Sequence, residues 1–268
     1  MGERDAVERV DRPVTVASIV EDLRDVGVRP GSTLIVHSSL SAIGWVAGGA
    51  QAVVEALQRA VTAGGTVVVP THSSQYTNPE HWENPPVPDE WIQRIRESMP
   101  AYRPEATPTR GVGAVPETFR SFPDVVRSRH PESSFAAWGA EADAVIADHV
   151  LDYGLGEGSP LAKIYERDGE VLLLGVGHGV NTSIHLAEYR ADVDAGSYTN
   201  VVPVRRDGER TLVEIEDIET STEDFPALGT AFERTVGARY GTVGVADATL
   251  LDQGSLVDFA VEWLEENR

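Results

Sequence analysis

The 268-residue chain has no cysteine and one lysine, Lys163. Without thiols there can be no disulfide framework, thiolate zinc site, iron–sulfur cluster or cysteine nucleophile. No apolar run approaches the roughly 20 residues needed to span a bilayer. The opening stretch MGERDAVERVDRPV is charged and has no apolar h-region, so a cytoplasmic protein with no membrane partner is expected. Internal repeats, heptads and low-complexity tracts are missing too. The seven histidines form no H-x-H or H-x-x-x-H pair, so no metal is expected.

The charge that is present is acidic. There are 43 Asp and Glu against 22 Lys and Arg, for a formal net charge of −21, and the acids are spread along the chain rather than gathered in a tail. Solvated carboxylates keep a protein soluble in concentrated salt, so salt adaptation is the leading explanation of this surface. A nucleic-acid partner is disfavoured, because phosphates call for Lys/Arg stripes. One local exception stands out. Residues 103–130 hold Arg103, Arg110, Arg120, Arg127 and Arg129 against three carboxylates, whereas residues 131–170 carry nine acidic residues and two basic ones. Such a basic island suits an anionic ligand, or is paired internally with neighbouring carboxylates.

The hydrophobic pattern predicts a layered α/β domain spanning 1–268, with a mixed sheet and flanking helices. A helical stripe (Val16, Ile19, Val20, Leu23, Val26) carries capping-box spacing at Ser18 and Glu21, with Thr15 competing as the cap. Short apolar strands, Thr33–His37 and Thr66–Val69, flank a helix over 49–63, which argues for a parallel pair buried on both faces. A Pro- and Trp-rich insertion, 75–109, follows the second strand and reads as a lid over a ligand site, with one helix near 89–98. Ala140–His149 reads as helix, Glu170–Leu174 as strand, and Asn181 as the cap of a helix reaching Ala191. The period then changes to two, giving a β-hairpin of Tyr198–Val204 and Thr211–Glu216 around Arg206-Asp-Gly208. A helix over 224–239, a short strand pair and a final helix close the chain.

Two constellations could carry chemistry. His185 and Glu188 are three apart on one helical face, with Asp192 a turn further on. A carboxylate beside an imidazole fixes its tautomer and stabilises the cation formed when it takes a proton, as a general base must. The alternative is a satisfied histidine beside a solvated glutamate. His37-Ser-Ser-Leu-Ser41 ends the first strand, where α/β folds bind ligands; its hydroxyls and turn amides could hold a pyrophosphate or a carbonyl oxygen. Ser38 or Ser39 beside a histidine also invites a serine-hydrolase reading, although no G-x-S-x-G is present. Gly175, Gly177 and Gly179 give a G-x-G-x-G whose third glycine is one place early for a dinucleotide fingerprint.

Taken together, several stretches resemble the aminoglycoside 3-N-acetyltransferase family. They are Val36-His-Ser-Ser-Leu40 with Gly44, Pro70-Thr-His72, Thr107-Pro-Thr-Arg-Gly111 with Gly113-Ala-Val-Pro-Glu-Thr-Phe119, and Arg127-Ser-Arg-His-Pro131 continuing to Ser134-Phe-Ala-Ala-Trp-Gly139. Gly158-Ser-Pro-Leu161 and Leu174-Gly-Val-Gly177 with Asn181-Thr-Ser-Ile-His-Leu-Ala-Glu188 complete the set, in order from about 15 to 268. His178 stands where the family's segment is expected to carry an aromatic residue, which bears on acceptor preference.

The resemblance implies transfer of an acetyl group from acetyl-CoA to a primary amine, the 3-amino group of a 2-deoxystreptamine aminoglycoside, as in antibiotic resistance. A non-antibiotic amine is the alternative. It implies His185 as general base, with Glu188 as its partner or as an amine ligand, and direct attack in a ternary complex. The oxyanion would be held by Thr71 or by amides near Ser38–Ser41. The implied CoA site comprises Ser38, Ser39, Leu40, Ser41, Arg110, Gly111, Val112, Gly113, His130, Ser134 and Phe135, with the arginine island neutralising phosphates. His72, Asn84, His178, Glu188 and Asp192 are the implied acceptor-binding residues. The expected partners are these two small molecules, and a homo-oligomer stays open.

Overall fold

A computed structural model describes residues 3–83 and 85–268. Three apolar strands set the frame: β1 (Thr33–Ser38), β2 (Thr66–Pro70) and, later in the chain, β5 (Glu170–Leu174). β1 lies between the other two and is parallel to both. Their apolar runs are continuous because both faces are covered. Leu34, Val36, Val67, Val69, Leu172 and Leu174 point into one core; Ile35, Val68, Val171 and Leu173 point into another. The first core is closed by helices Val16–Val26, Gly49–Val61 and Ala114–Phe119. The second is closed chiefly by Pro160–Tyr165, His185–Arg190, Phe225–Thr235 and Gln253–Asn267.

Antiparallel strands extend this parallel centre on both sides. β3 (Val126–Arg127) and β4 (Phe135–Gly139) add beyond β2; β8 (Arg239–Val243) and β9 (Ala246–Asp252) add beyond β5. The seven-stranded order is β3-β4-β2-β1-β5-β9-β8, a mixed sheet between two helical layers. A separate two-stranded ribbon, β6 (Ser197–Arg206) with β7 (Glu209–Ile218), is longer than the predicted hairpin. Its turn is Asp207-Gly208, both with positive φ (50° and 85°), the conformation a two-residue hairpin requires.

Several predicted boundaries move. Thr15, not Ser18, caps the first long helix: its hydroxyl accepts from the Ser18 N–H while Ser18 reaches back to the Thr15 N–H. The helix predicted over Ala140–His149 shrinks to Ala142–Ile146, and that over 224–239 ends at Thr235, because Arg239 is drawn into β8. In the second case pairing to the sheet overrides local propensity; in the first the chain turns at Asp148, with φ 52°.

The 75–109 segment holds one helix, Asp89–Ser98, with no buried residue. Its ends are fastened. Arg127 is buried and donates to Thr71, Ser73, Pro104, Thr107 and Ser134 oxygens, all neutral, at 2.5–3.2 Å. Among the described residues, no helix is long and apolar enough to cross a membrane.

Candidate active site

Parallel β1, β2 and β5 end along one edge of the sheet, and each hands its next residues to the same place. β1 ends in His37 and Ser38, paired with Leu173 and Leu174 of β5, and the Ser39 N–H donates to the Leu174 carbonyl. Gly175 must be glycine here: it has φ +66°, and a Cβ would lie 2.4 Å from that of Ala42. That close approach lets the loops after β1 and β5 share one wall. β2 contributes Pro70 and His72. Together with Gly111–Ala114, Thr182, His185 and Thr222, these residues enclose a cavity of about 620 Å³.

His185 opens a short helix, His185–Arg190, and its Nδ1 lies 2.5 Å from Glu188 Oε2. The Glu188 side chain has no exposed surface. Its other oxygen accepts from the Ser221 N–H (3.0 Å) and from Arg268 Nη1 (2.5 Å), and Arg268 is gripped by both oxygens of Asp224 at 2.7 Å. Burial pushes the Glu188 pKa up, but hydrogen bonds from His185, Ser221 and Arg268 outweigh it and leave the group below the ordinary carboxylate range. The charged carboxylate therefore holds the proton on Nδ1 and leaves the Nε2 lone pair free. Phe225 packs against the ring at a tilt, with centroids 4.9 Å apart and planes inclined at 59°. With both oxygens engaged and no exposed surface, the Glu188 carboxylate is placed as the partner of His185 and not at a cavity surface where an amine could meet it.

Two other imidazoles line the cavity without a carboxylate. Burial first, then the charge of His185, pulls His37 and His72 down to a pKa of about 3, so both stay neutral. The Nε2 atoms of His37 and His72 and the Ser38 hydroxyl are buried without a hydrogen-bond partner among the described residues. Ser39 Oγ lies 3.2 Å from Ser41 Oγ. No imidazole is hydrogen-bonded to Ser38 or Ser39, so neither is set up as an activated nucleophile.

The other predicted site residues divide by direction. Ser38, Ser39, Leu40, Ser41, Gly111, Val112, Gly113 and His72 all line the cavity. Arg110 stands at its edge: its side chain is exposed and its backbone N–H donates to the His72 carbonyl at 2.9 Å. Thr71 points the other way, as alternation along an extended chain dictates. Its hydroxyl is buried between Ser134 Oγ (3.2 Å) and Arg127 Nε (3.1 Å), so it cannot reach an oxyanion in the cavity.

His130, Ser134 and Phe135 are fully buried framework rather than cofactor contacts. His130 Nδ1 accepts from the Glu132 and Ser133 N–H groups, and its Nε2 faces the Leu151 carbonyl at 3.0 Å. His178 is locked between Glu233 (3.0 Å) and Asn181 (3.3 Å), against Gly229, where a Cβ would fall 2.0 Å from its ring. Asp192 is exposed and lines no described cavity; its backbone N–H donates to Glu265. Asn84 lies outside the described residues.

A second cavity, about 680 Å³, opens on the far side of the same helix. Glu188 and Tyr189 form its inner wall, and Asp152, Glu157 and Asp194 surround it. Glu157 is paired with Arg190 at 2.6 Å. Beneath it, Asp217 accepts from the Tyr189 hydroxyl at 2.6 Å and from the Gly154 N–H. Glu132 lies close by, bonded to Asn200, and burial raises its pKa to about 7. The acid-rich composition of 131–170 was the sequence signal for this wall. Ser221 and Arg268, which complete the Glu188 network, carried no local signal.

The arginine island does not assemble as one patch. Arg120 is paired with Glu117 at 2.5 Å, Arg127 is buried, and only Arg110 borders the first cavity.

Comparison with known proteins follows this geometry. A family model described as Aminoglycoside 3-N-acetyltransferase matches residues 35–265. A Bacillus subtilis (strain 168) protein, the SPbeta prophage-derived aminoglycoside N(3')-acetyltransferase-like protein YokD, is 46% identical over 97% of this chain and 96% of its own. Its crystal structure superposes with a TM-score of 0.96 over 98% of each chain, at 45% identity. Aminoglycoside N(3)-acetyltransferase VII of Streptomyces paromomycinus is 36% identical over 99% of this chain and 96% of its own. The structure of AAC-IIIb in a binary complex with CoASH matches with a TM-score of 0.86 at 33% identity, over 95% of this chain and 97% of that one.

Proposed function

The chain belongs to the aminoglycoside 3-N-acetyltransferase family, and from that membership we propose that it moves the acetyl group of acetyl-CoA to a primary amine of an aminoglycoside, the 3-amino group of its 2-deoxystreptamine ring. The observation that carries this reading is the placement of His185 and Glu188: one short helix presents the imidazole to the first cavity and backs it with a fully buried, hydrogen-bonded carboxylate.

The first cavity suits the cofactor. Ser38–Ser41 and the Gly111–Gly113 turn offer hydroxyls and backbone amides, and the Ser38 hydroxyl and two imidazole Nε2 atoms there await partners. Added Cβ atoms at Gly111 and Gly113 would meet open space or nothing closer than 3.8 Å, so the turn leaves room for a ligand against its backbone. Acetyl-CoA supplies an activated thioester carbonyl. The chain supplies the rest.

Asp152 and Asp194 of the acidic cavity attract the acceptor's ammonium groups, and the reacting amine is delivered to the first cavity, which His185 lines. His185 Nε2 takes a proton from the attacking amine. Glu188, kept ionised by its hydrogen bonds from His185, Ser221 and Arg268, stabilises the resulting imidazolium, and as the C–S bond breaks the imidazolium returns the proton to the departing CoA thiolate. Donors around Ser38–Ser41 stabilise the charge developing on the carbonyl oxygen. With no cysteine and no activated serine, direct attack of the amine is favoured over a covalent acyl-enzyme. The same acidic wall would accept a polyamine that is not an antibiotic, and a cytoplasmic location fits the use of acetyl-CoA.

The test is thiol release from acetyl-CoA with kanamycin-like and simple polyamine acceptors. His185→Ala is expected to lose about 10²–10⁴-fold in turnover while still binding acetyl-CoA. Near-normal turnover in that variant would sink the assignment.

A further inference from the structure

Three arginines unused by the cleft converge from distant parts of the chain. Arg103 follows the insertion helix, Arg129 follows β3, and Arg205 lies near the turn of the β6–β7 ribbon. They line a third cavity of about 250 Å³ floored by Tyr102, which is buried and donates its hydroxyl to the Ser128 carbonyl. Behind that ring, the guanidinium of buried Arg127 sits 5.3 Å from its centroid. Glu105 is the only carboxylate in the cavity lining, and among the described residues none of the four arginines forms an ion pair.

On a chain with net charge −21, a carboxylate is the cheapest neighbour an arginine could find. Arg103, Arg129 and Arg205 instead line one hollow from separate segments, with Arg127 over the ring of Tyr102 that floors it and Arg205 Nε donating to the Gly208 carbonyl at 3.0 Å. An anion entering the hollow is attracted by all of them. The planar N–H fork of a guanidinium matches phosphate oxygens two at a time, and three such forks suit a group with several anionic oxygens. The hollow is too small for a whole nucleotide cofactor and large enough for a diphosphate.

We propose that this hollow binds a compact polyanion of the phosphate class, separately from the cleft that holds His185. Bound there, the anion ties the end of the insertion, the turn after β3 and the ribbon together. The base of that ribbon, Ser197 and Ile218, forms part of the acidic cavity's wall.

Inorganic pyrophosphate is the probe, titrated calorimetrically at low ionic strength into the full chain saturated with acetyl-CoA. Sodium chloride at matched ionic strength is the control. Saturable binding is expected, weakened about tenfold or more in an Arg129→Ala, Arg205→Gln double variant. Both side chains are exposed, so the variant is expected to fold and to keep its KM for acetyl-CoA. No saturable binding, or equal binding by the double variant, overturns the proposal. So does displacement of pyrophosphate by acetyl-CoA, which would make the hollow part of the cofactor's own site. The measurement needs no turnover, so its result is independent of the acetyl-transfer reading.

Discussion

The two cavities that share the His185–Arg190 helix are built from opposite kinds of polar group. The first is lined by hydroxyls, backbone amides and two imidazoles that burial keeps neutral. The second is ringed by Asp152, Glu157 and Asp194, with Glu132 and Asp217 packed beneath it. A neutral, donor-rich cavity suits a thioester and its anionic carrier, and an acidic one suits a polycation. The short helix between them presents His185 to the first cavity and keeps the Glu188 carboxylate buried behind it, with Tyr189 toward the second.

The largest effect is expected where the two sides are joined. Glu188→Gln keeps the shape but removes the charge that fixes the His185 tautomer. Turnover is expected to fall by about 10²–10⁴-fold, with acetyl-CoA binding retained in a direct titration. Unchanged kcat would mean that His185 works without its partner.

The pH dependence of stability separates the two sides by sign. His37 and His72, together with buried His130 (about 4) and His149, have pKa values lowered by burial. The unfolded chain takes up protons from about pH 6.5 downward, whereas native His37, His72 and His130 do so only near pH 3–4 and His149 well below its ordinary value. Stability is therefore lost as pH falls through that window. Glu132 works in reverse: its native pKa of about 7 lies above the unfolded value, so its contribution is lost as pH rises from about 4.5 through 7. Glu132→Gln keeps the oxygen that accepts from Asn200 and is expected to stabilise the protein at pH 8 by up to about 3 kcal/mol, with little effect at pH 4. Chemical denaturation at the two pH values measures this, and equal effects at both would remove Glu132 from the account.

The smallest effect belongs to the rim. Asp152→Asn with Asp194→Asn is expected to raise the acceptor KM several-fold, by about 1 kcal/mol for the pair, and to flatten its salt dependence. The KM for acetyl-CoA is expected to stay the same. A rise in both would show that the cavities are not separate subsites.

Much of this arrangement was legible in the sequence because it is local. An uninterrupted apolar strand such as Leu34-Ile-Val36 already implies two covered faces, and the i, i+3 spacing of His185 and Glu188 already places both on one side of a helix. The Ser38–Ser41 turn could be placed at a strand's carboxyl end for the same reason. Other residues carry no such local signature. Thr71 and His72 are adjacent and both polar, yet one is sealed under Arg127 and the other opens to the cleft. His130 and His178 look like candidate ligands until their ring nitrogens are seen to be occupied.

The sequence by itself determined the strands, the helix with its base and acid, and the acidity of the surface, because periodicity and composition act over a few residues. Tertiary structure alone decided that Arg268 holds Glu188 from 80 residues away and that Arg127 spends its donors on neutral oxygens. It also split the arginine-rich stretch between a buried pin, an ion pair, a cleft rim and a separate hollow. The physical reason is the same in each case: a buried polar group takes the partner that the fold brings within hydrogen-bonding reach, and distance along the chain says nothing about which one that will be.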